Sequence, residues 1–290
     1  MAFSKVGIVA APKIVPSQYG LLAVARPENS ADEDRWIRGF SQEWNTGLYS
    51  AKAWDDTDTT SATVATDATP TYYTEIKPFF VEVEEYRSTL SFNGIDRIAR
   101  IKLQLEGVTQ KVMENELWDG AIRKGETHSN KALSDANTTL VNGTTALSAA
   151  RALALLEFQM ADASPCGEAG VIHMTKDTAG ILATNYMIFH NEAGGHLETV
   201  NGTTIIIGSG YSGDGPTGQT GAAASATNKW MYGTGTVKTY LGKVDVVNDN
   251  LAQAYDVSGN VNDMRLKAIR PAAAYFDETI HLAVRVDLTV

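Results

Sequence analysis

The 290-residue sequence has one cysteine, Cys166, so it has no intrachain disulfide, and a lone thiol cannot build a zinc site. It also lacks a long hydrophobic run: no stretch approaches the roughly 18 uninterrupted apolar residues of a membrane helix. The N-terminal apolar run is short and broken by Pro12, Lys13 and Pro16, unlike the continuous core of a signal peptide. These features predict a soluble chain made in the cytosol, with no membrane partner. Charge is sparse at 20%, below the roughly 25% of typical soluble domains. More of the surface must then be covered by Thr, Ser, Asn and Gly, or by other subunits. Basic residues are the scarcer sign, 24 against 34 acids, for a net charge of −10. That balance excludes a protein whose whole surface holds nucleic-acid phosphate, such as a repressor or DNA-binding enzyme. At 43% hydrophobic, the chain holds enough apolar material for one large domain or two modest ones, which rules out overall disorder.

Catalytic patterns are equally scarce. The five histidines, His128, His173, His190, His196 and His281, show no HExxH and no pair at metal-ligand spacing flanked by acids. A Cys166–His173 pair has no third orienting group, and Cys166 sits in a Ser-Pro-Cys-Gly turn. Gly208-Ser209-Gly210-Tyr211-Ser212-Gly213 fits the dinucleotide-binding string and follows an apolar strand. Asp214, Gly215 and Pro216 then stand where a helix should open, so the string reads as a flexible loop. Asn137-Thr138-Thr139, Asn142-Gly143-Thr144 and Asn201-Gly202-Thr203 read as turns. No catalytic residue, cofactor or metal ligand is assigned.

Along the chain, residues 1–27 carry Lys5, Lys13 and Arg26 without an acid, and Pro12, Pro16 and Pro27 divide the short apolar pieces. This suits an extended arm that needs a partner surface. From Glu28 to Asp58 acids dominate, and Trp36, Trp44 and Trp54 recur without a period, which marks them as residues that dock on a neighbouring subunit or else pack on their own core. Residues 55–71 hold almost no large apolar side chain and read as the tip of a long flap. Tyr72 to Phe92 reads as strands of an extended hairpin. Glu82 and Glu84 share a strand face with no compensating cation in view, so they and Arg87 are candidate subunit-interface residues. Ile98, Ile101, Leu105, Val108 and Val112 then predict a helix over about 95–119, with Asn93 as its cap and Gly120 at its end. Its polar face carries Arg97, Arg100, Gln110, Lys111 and Glu114. Residues 124–146 read as a loop or short hairpin. Beyond them come a buried helix from Ser148 to Asp162, a strand at 170–175, a helix from Lys176 capped by Thr175, strands at 203–207 and 230–247, and strands around Arg270-Pro271. The class is α/β or α+β.

This order of pieces resembles the major capsid proteins of tailed bacteriophages, and most of all those of actinobacterial phages. The similarity rests on Phe79-Phe80-Val81-Glu82-Val83, on Ser88-Thr89-Leu90-Ser91-Phe92 leading to Glu116-Leu117-Trp118-Asp119-Gly120, and on Val171-Ile172-His173-Met174-Thr175. It continues through Gly208–Gly213, Trp230-Met231-Tyr232-Gly233-Thr234-Gly235 and Arg270-Pro271-Ala272-Ala273-Ala274-Tyr275-Phe276, and spans roughly residues 30–290. The resemblance implies an α+β chain of the Hong Kong 97-type capsid fold. Its implied parts are an N-terminal arm (1–45), a long two-stranded flap or E-loop (46–92), a peripheral domain with a spine helix (93–147), an axial domain (148–262) and return strands to the peripheral domain (263–290). It further implies a non-enzymatic subunit forming hexamers and pentamers in the virion shell around double-stranded DNA, with a portal. Because the arm follows Met1 directly, a separate scaffolding protein, or none, is expected. Lys52 and Lys77 flank the flap, but no motif identifies a cross-linking partner. Two readings compete: a cellular nanocompartment shell of the same fold, and a glycan-binding or hydrolytic virion surface domain. Contact with packaged DNA would be weak, non-specific and confined to Lys5, Lys13, Arg26, Arg97, Arg100 and Lys111, unless these cations pair instead with acids of adjacent subunits such as Asp32, Glu33 and Asp34.

Overall fold

The computed structural model describes residues 17–29, 36, 39–43, 73–88, 97–120, 130–164, 170–247, 255–256 and 263–289. A short helix α1 (Leu21–Ala25) and strand β1 (Glu28–Asn29) lead to β2 (Phe40–Glu43), β3 (Tyr73–Ile76) and β4 (Phe79–Ser88). Then come the long helix α2 (Arg97–Asp119), β5 (Thr139–Thr144), β6 (Leu147–Ser148), α3 (Ala149–Ala163), β7 (Val171–Met174) and α4 (Lys176–Thr184). The chain finishes with β8 (Ile188–Asn191), β9 (His196–Thr199), β10 (Thr204–Ile207), β11 (Asn228–Thr234), β12 (Val237–Leu241), β13 (Asp245–Val247), β14 (Tyr255–Asp256), β15 (Asp263–Phe276) and β16 (His281–Asp287).

Among the described residues the strands form two large sheets. The first is organised on β15, whose 14 residues pair with β4 along one edge and with β12, β13 and β14 along the other; β1 extends it beyond β12. The second runs β5-β16-β11-β7-β10-β9-β8, with β6 also on β16. These sheets do not divide where the expected segments do. Residues 139–148 and 281–287 lie in the second sheet and 237–247 in the first, because β11–β12 and β15–β16 each pass from one sheet to the other. The expected hairpin over 72–92 is also redrawn. β3 pairs antiparallel with β2, Phe40 opposite Ile76, so that this pair closes the chain around residues 44–72, while β4 joins β15. Residues 139–144, read as loop or hairpin, form a strand parallel to β16.

Alternation along the second sheet feeds two cores. On β11, Trp230 and Tyr232 face the α2 side and Met231 the α3 side; on β16, Ala283 faces α2 while Leu282, Val284 and Val286 face α3. The α3 side is filled by Ala152, Leu153, Leu156 and Met160 of α3 and by Ala179 and Leu182 of α4. The other core places α2 between the two sheets, against Phe79, Val81, Leu266 and Ala268 of the first and Ile206, Trp230 and Tyr232 of the second.

That placement changes the reading of α2. Ile101 and Leu105 are buried as expected, but Val108 is 36% exposed, and the buried arc runs on through Thr109, Gln110, Met113, Glu114, Glu116, Leu117 and Trp118. A helix covered on two sides buries more than one stripe, and the polar groups it buries must find partners. Asn93, the expected cap, lies outside the described residues. Gly120 ends the helix at φ +61°, the left-handed conformation that favours glycine. No helix of the described residues is long and apolar enough to cross a membrane.

Trp118 closes this core, its ring 4.6 Å from that of Tyr211 and 4.8 Å from that of Tyr232 between centroids, the latter edge to face. Its Nε1 donates to the Asp214 carbonyl at 3.1 Å. Trp118→Ala is expected to cost about 3–5 kcal/mol, read as a fall in the urea midpoint of the expressed chain.

Candidate functional site

The most heavily bonded polar group of α2 is Glu114, fully buried. Its Oε1 accepts from the Leu21 amide at 3.0 Å and from Gln110 Nε2 at 2.9 Å. Its Oε2 accepts from Ser209 Oγ at 3.0 Å and from the Gly210 amide at 2.8 Å. A carboxylate out of water is tolerated only with such a set of donors. One turn of helix brings Gln110 beside it, and Gln110 also donates to the Ser17 carbonyl at 3.4 Å. The Gly208–Gly213 segment is therefore a packed loop and not the flexible one expected. A Cβ on Gly210 would stand 2.2 Å from the Lys111 carbonyl oxygen, so only glycine lets this backbone reach α2.

Beside it, His173 is buried on β7 with both ring nitrogens engaged. Thr234 Oγ1 gives its proton to the Gly235 carbonyl, so it accepts from His173 Nε2 at 3.0 Å. His173 Nδ1 then accepts the Tyr211 hydroxyl proton at 2.8 Å. Burial, aided by His281, pulls the imidazole down to about 3, and burial raises Tyr211 well above its usual value. This neutral, fully bonded histidine is a structural strut.

The described surface has two notable hollows. One of about 460 Å³ is lined by Asp119, Ser134, Asp214 and Thr217. Its carboxylates already accept internal hydrogen bonds, Asp119 from Ser134 and Ser212 and Asp214 from the Ala224 amide. The other, about 380 Å³ and mostly apolar, lies between Tyr19, Ala179, Ile188, Leu197 and Ile207. Neither joins a nucleophile to a base and an orienting group. Among the described residues no three His, Cys, Asp or Glu side chains gather to hold a metal.

The residues singled out from sequence are scattered. Trp36, read as a docking residue, is buried in its own chain against Ile76, Tyr240, Ala273 and Tyr275, because the β2–β3 pair lays it over the first sheet. Trp44, Trp54, Lys5 and Lys13 lie outside the described residues. Glu82 and Glu84 do have a compensating cation: Lys267 of β15 reaches them at 2.5 and 3.7 Å, placed there by the pairing of Lys267 with Glu84. Arg87 stands in β4 opposite Met264. Arg26 is exposed at the end of α1 and donates to the Gly194 carbonyl at 3.2 Å. Arg97 and Arg100 occupy the first turn of α2, and Lys111 is exposed along it. Sequence reasoning missed Glu114 and His173. The available signal was Gln110 and Glu114 at i, i+4 on the flank of the apolar stripe.

Two outcomes follow. Glu114→Ala leaves four donors without their acceptor and is expected to cost at least about 3 kcal/mol, with faster hydrogen exchange at the Leu21 and Gly210 amides. For His173, the unfolded imidazole takes its proton near pH 6.5 and the folded one near 3. The unfolded state therefore binds more protons in between, and stability falls as pH drops through that window. His173→Gln should remove up to about 1.4 kcal/mol per pH unit of that slope, measured by urea denaturation from pH 4 to 7.

No protein-family model matches the sequence, and no curated protein does. Solved structures do. The capsid of a native GTA particle aligns with a TM-score of 0.55 at 11% identity over 99% of this chain and 94% of that one. Microbacterium phage Oxtober96 aligns at 0.53 and 13% over 99% and 96%. The capsid of Ralstonia phage GP4 aligns at 0.53 and 10% over 98% and 96%. Alignment along almost the whole of both chains shows that this protein has the fold of phage capsid subunits, the α+β Hong Kong 97-type fold that the sequence resemblance implies.

Proposed function

We propose that the chain is a major capsid protein, a non-enzymatic subunit that assembles with copies of itself as hexamers and pentamers into the icosahedral head around phage double-stranded DNA. The observation that carries this is end-to-end coverage: 99% of this chain aligns with 94% of the GTA capsid subunit. The β2–β3 pair supports it from within. Two four-residue strands close a 29-residue excursion, and its residues 55–71, Asp-Asp-Thr-Asp-Thr-Thr-Ser and onward, supply little apolar surface of their own. In a shell, ordering such a flap is offset by burial on neighbours. We assign residues 1–45 to the arm, 46–92 to the flap and its flanking strands, and α2 to the spine helix.

In this role the acidic chain contacts packaged DNA through Lys5, Lys13, Arg26, Arg97, Arg100 and Lys111, by phosphate charge alone. A portal and a separate scaffolding protein complete the assembly, which is built in the host cytoplasm. Electron microscopy of the purified, concentrated protein, alone and with its scaffolding partner, tests the reading. Closed shells or hexamers and pentamers are the expected result. A monodisperse monomer under every condition overturns it.

A further inference from the structure

Helix α3 is apolar on nearly every side. Of its 15 residues only Arg151, Glu157, Gln159 and Asp162 are polar, a pattern that predicts a helix covered all round. The chain covers one side. Ala152, Leu153, Leu156 and Met160 fill the core beneath the helix, while Phe158, on the opposite side, is 65% exposed. Ala154 and Ala161, both exposed, lie one turn before and one turn after it, so the ring stands as a knob above a floor of methyl groups. Glu157 widens this apolar patch. It accepts from the Thr199 hydroxyl and, at 2.8 Å, from Asn201 Nδ2, which holds the β9–β10 turn against α3 with the exposed Val200 between them.

The mostly apolar hollow of about 380 Å³ has the matching shape. Lys176, Ala179, Gly180 and Ala183, from one flank of α4, line it together with Ile188 and Leu197. Ile181, on the opposite flank of α4, packs into the core that α4 shares with α3, so the hollow opens on the flank turned away from α3. Nothing within the chain accounts for Gly180. A glycine inside a helix costs about 1 kcal/mol against alanine. Its φ is not in the left-handed region, and a Cβ built on it would meet nothing within 4 Å. The space left by its missing side chain is space in the hollow.

We propose that Phe158 of one copy seats in the α4 hollow of the next copy, over Gly180. Charge agrees with shape. Asp162, one turn beyond Phe158, and Lys176, on the hollow, are exposed and form no ion pair among the described residues. They pair across this contact. Knob, hollow and both charges belong to one sequence, which makes a second copy the occupant. The contact joins two different surfaces and is therefore head to tail, the kind that closes into a ring when its rotation allows. It rests on the chain being a shell subunit, and it supplies the surfaces through which copies meet within a hexamer or pentamer.

The full chain is used for the test. Phe158→Glu removes the knob and keeps the hollow, whereas Gly180→Leu fills the hollow and keeps the knob. Leucine is the better helix former and has open space at this position, so Gly180→Leu is expected to unfold at no lower urea concentration than the parent chain. Each variant is expected to need a concentration about tenfold higher than the parent for half of it to associate, read by sedimentation velocity. Mixed in equal amounts, the two have one good knob and one good hollow between them, and dimers form that neither gives alone. Asp162→Lys and Lys176→Asp each weaken association, and both together in one chain restore it. Phe158→Glu or Gly180→Leu associating at the parent's concentration overturns the proposal; where such a variant also closes normal shells, the shell reading stands without it. A loss confined to Gly180→Leu would mean that another occupant, such as residues 1–16, fills the hollow, and it overturns the proposal too. A parent chain that stays monomeric at every concentration overturns both readings.

Discussion

A buried carboxylate is the constraint around which the described structure is arranged. Glu114 has no exposed surface, and four donors reach it from three separate stretches of chain: the start of α1, the preceding turn of α2 and the loop after β10. Withdrawing any one stretch would leave a buried carboxyl oxygen short of a hydrogen-bond donor, at a cost of about 1–3 kcal/mol. The donors therefore specify where residues 17–29, the helix and the loop meet. Apolar packing alone would let those surfaces slide. The His173 network works alongside it. By fixing Tyr211 it holds the same loop from the other side, so that Ser209 and Gly210 are positioned between two buried polar anchors.

Much of this fold was legible because periodicity reports local burial. The helices at 97–119, 149–163 and 176–184 and the strands at 171–174, 204–207 and 228–247 follow from apolar spacing and punctuation by glycine and proline. The family resemblance supplied the architecture that spacing could not. What failed did so for one reason: pairing between distant segments leaves little local trace. Lys267 lies 185 residues from Glu82, so the two glutamates looked uncompensated. Trp36 looked like a docking residue because Tyr240 and Tyr275, which stack on each other and receive it, come two hundred residues later. The glycine-rich stretch after Ile207 looked mobile because flexibility was read from composition, whereas Gly210 serves close approach to α2, a hundred residues earlier. Glu114 was placed on the solvent face because a single stripe was assumed, and a helix between two layers has no such simple face.

The polar candidates divide in an orderly way. Glu114, His173 and Tyr211, which look chemically equipped, are each hydrogen-bonded to partners inside the chain. Of the cations read as contacts for nucleic acid, the described ones lie at the end of α1 (Arg26), in the first turn of α2 (Arg97 and Arg100) and on its exposed length (Lys111).

The alternation along β11 constrains how this chain can change over generations. Trp230 and Tyr232 supply one core and Met231 the other, with β7 and β16 paired on either side of them. A single-codon insertion or deletion within the strand would turn both aromatics toward α3 and the methionine toward α2, exchanging the contents of two cores of different shape. Substitutions of matched volume remain open to it. The strand itself is locked in phase.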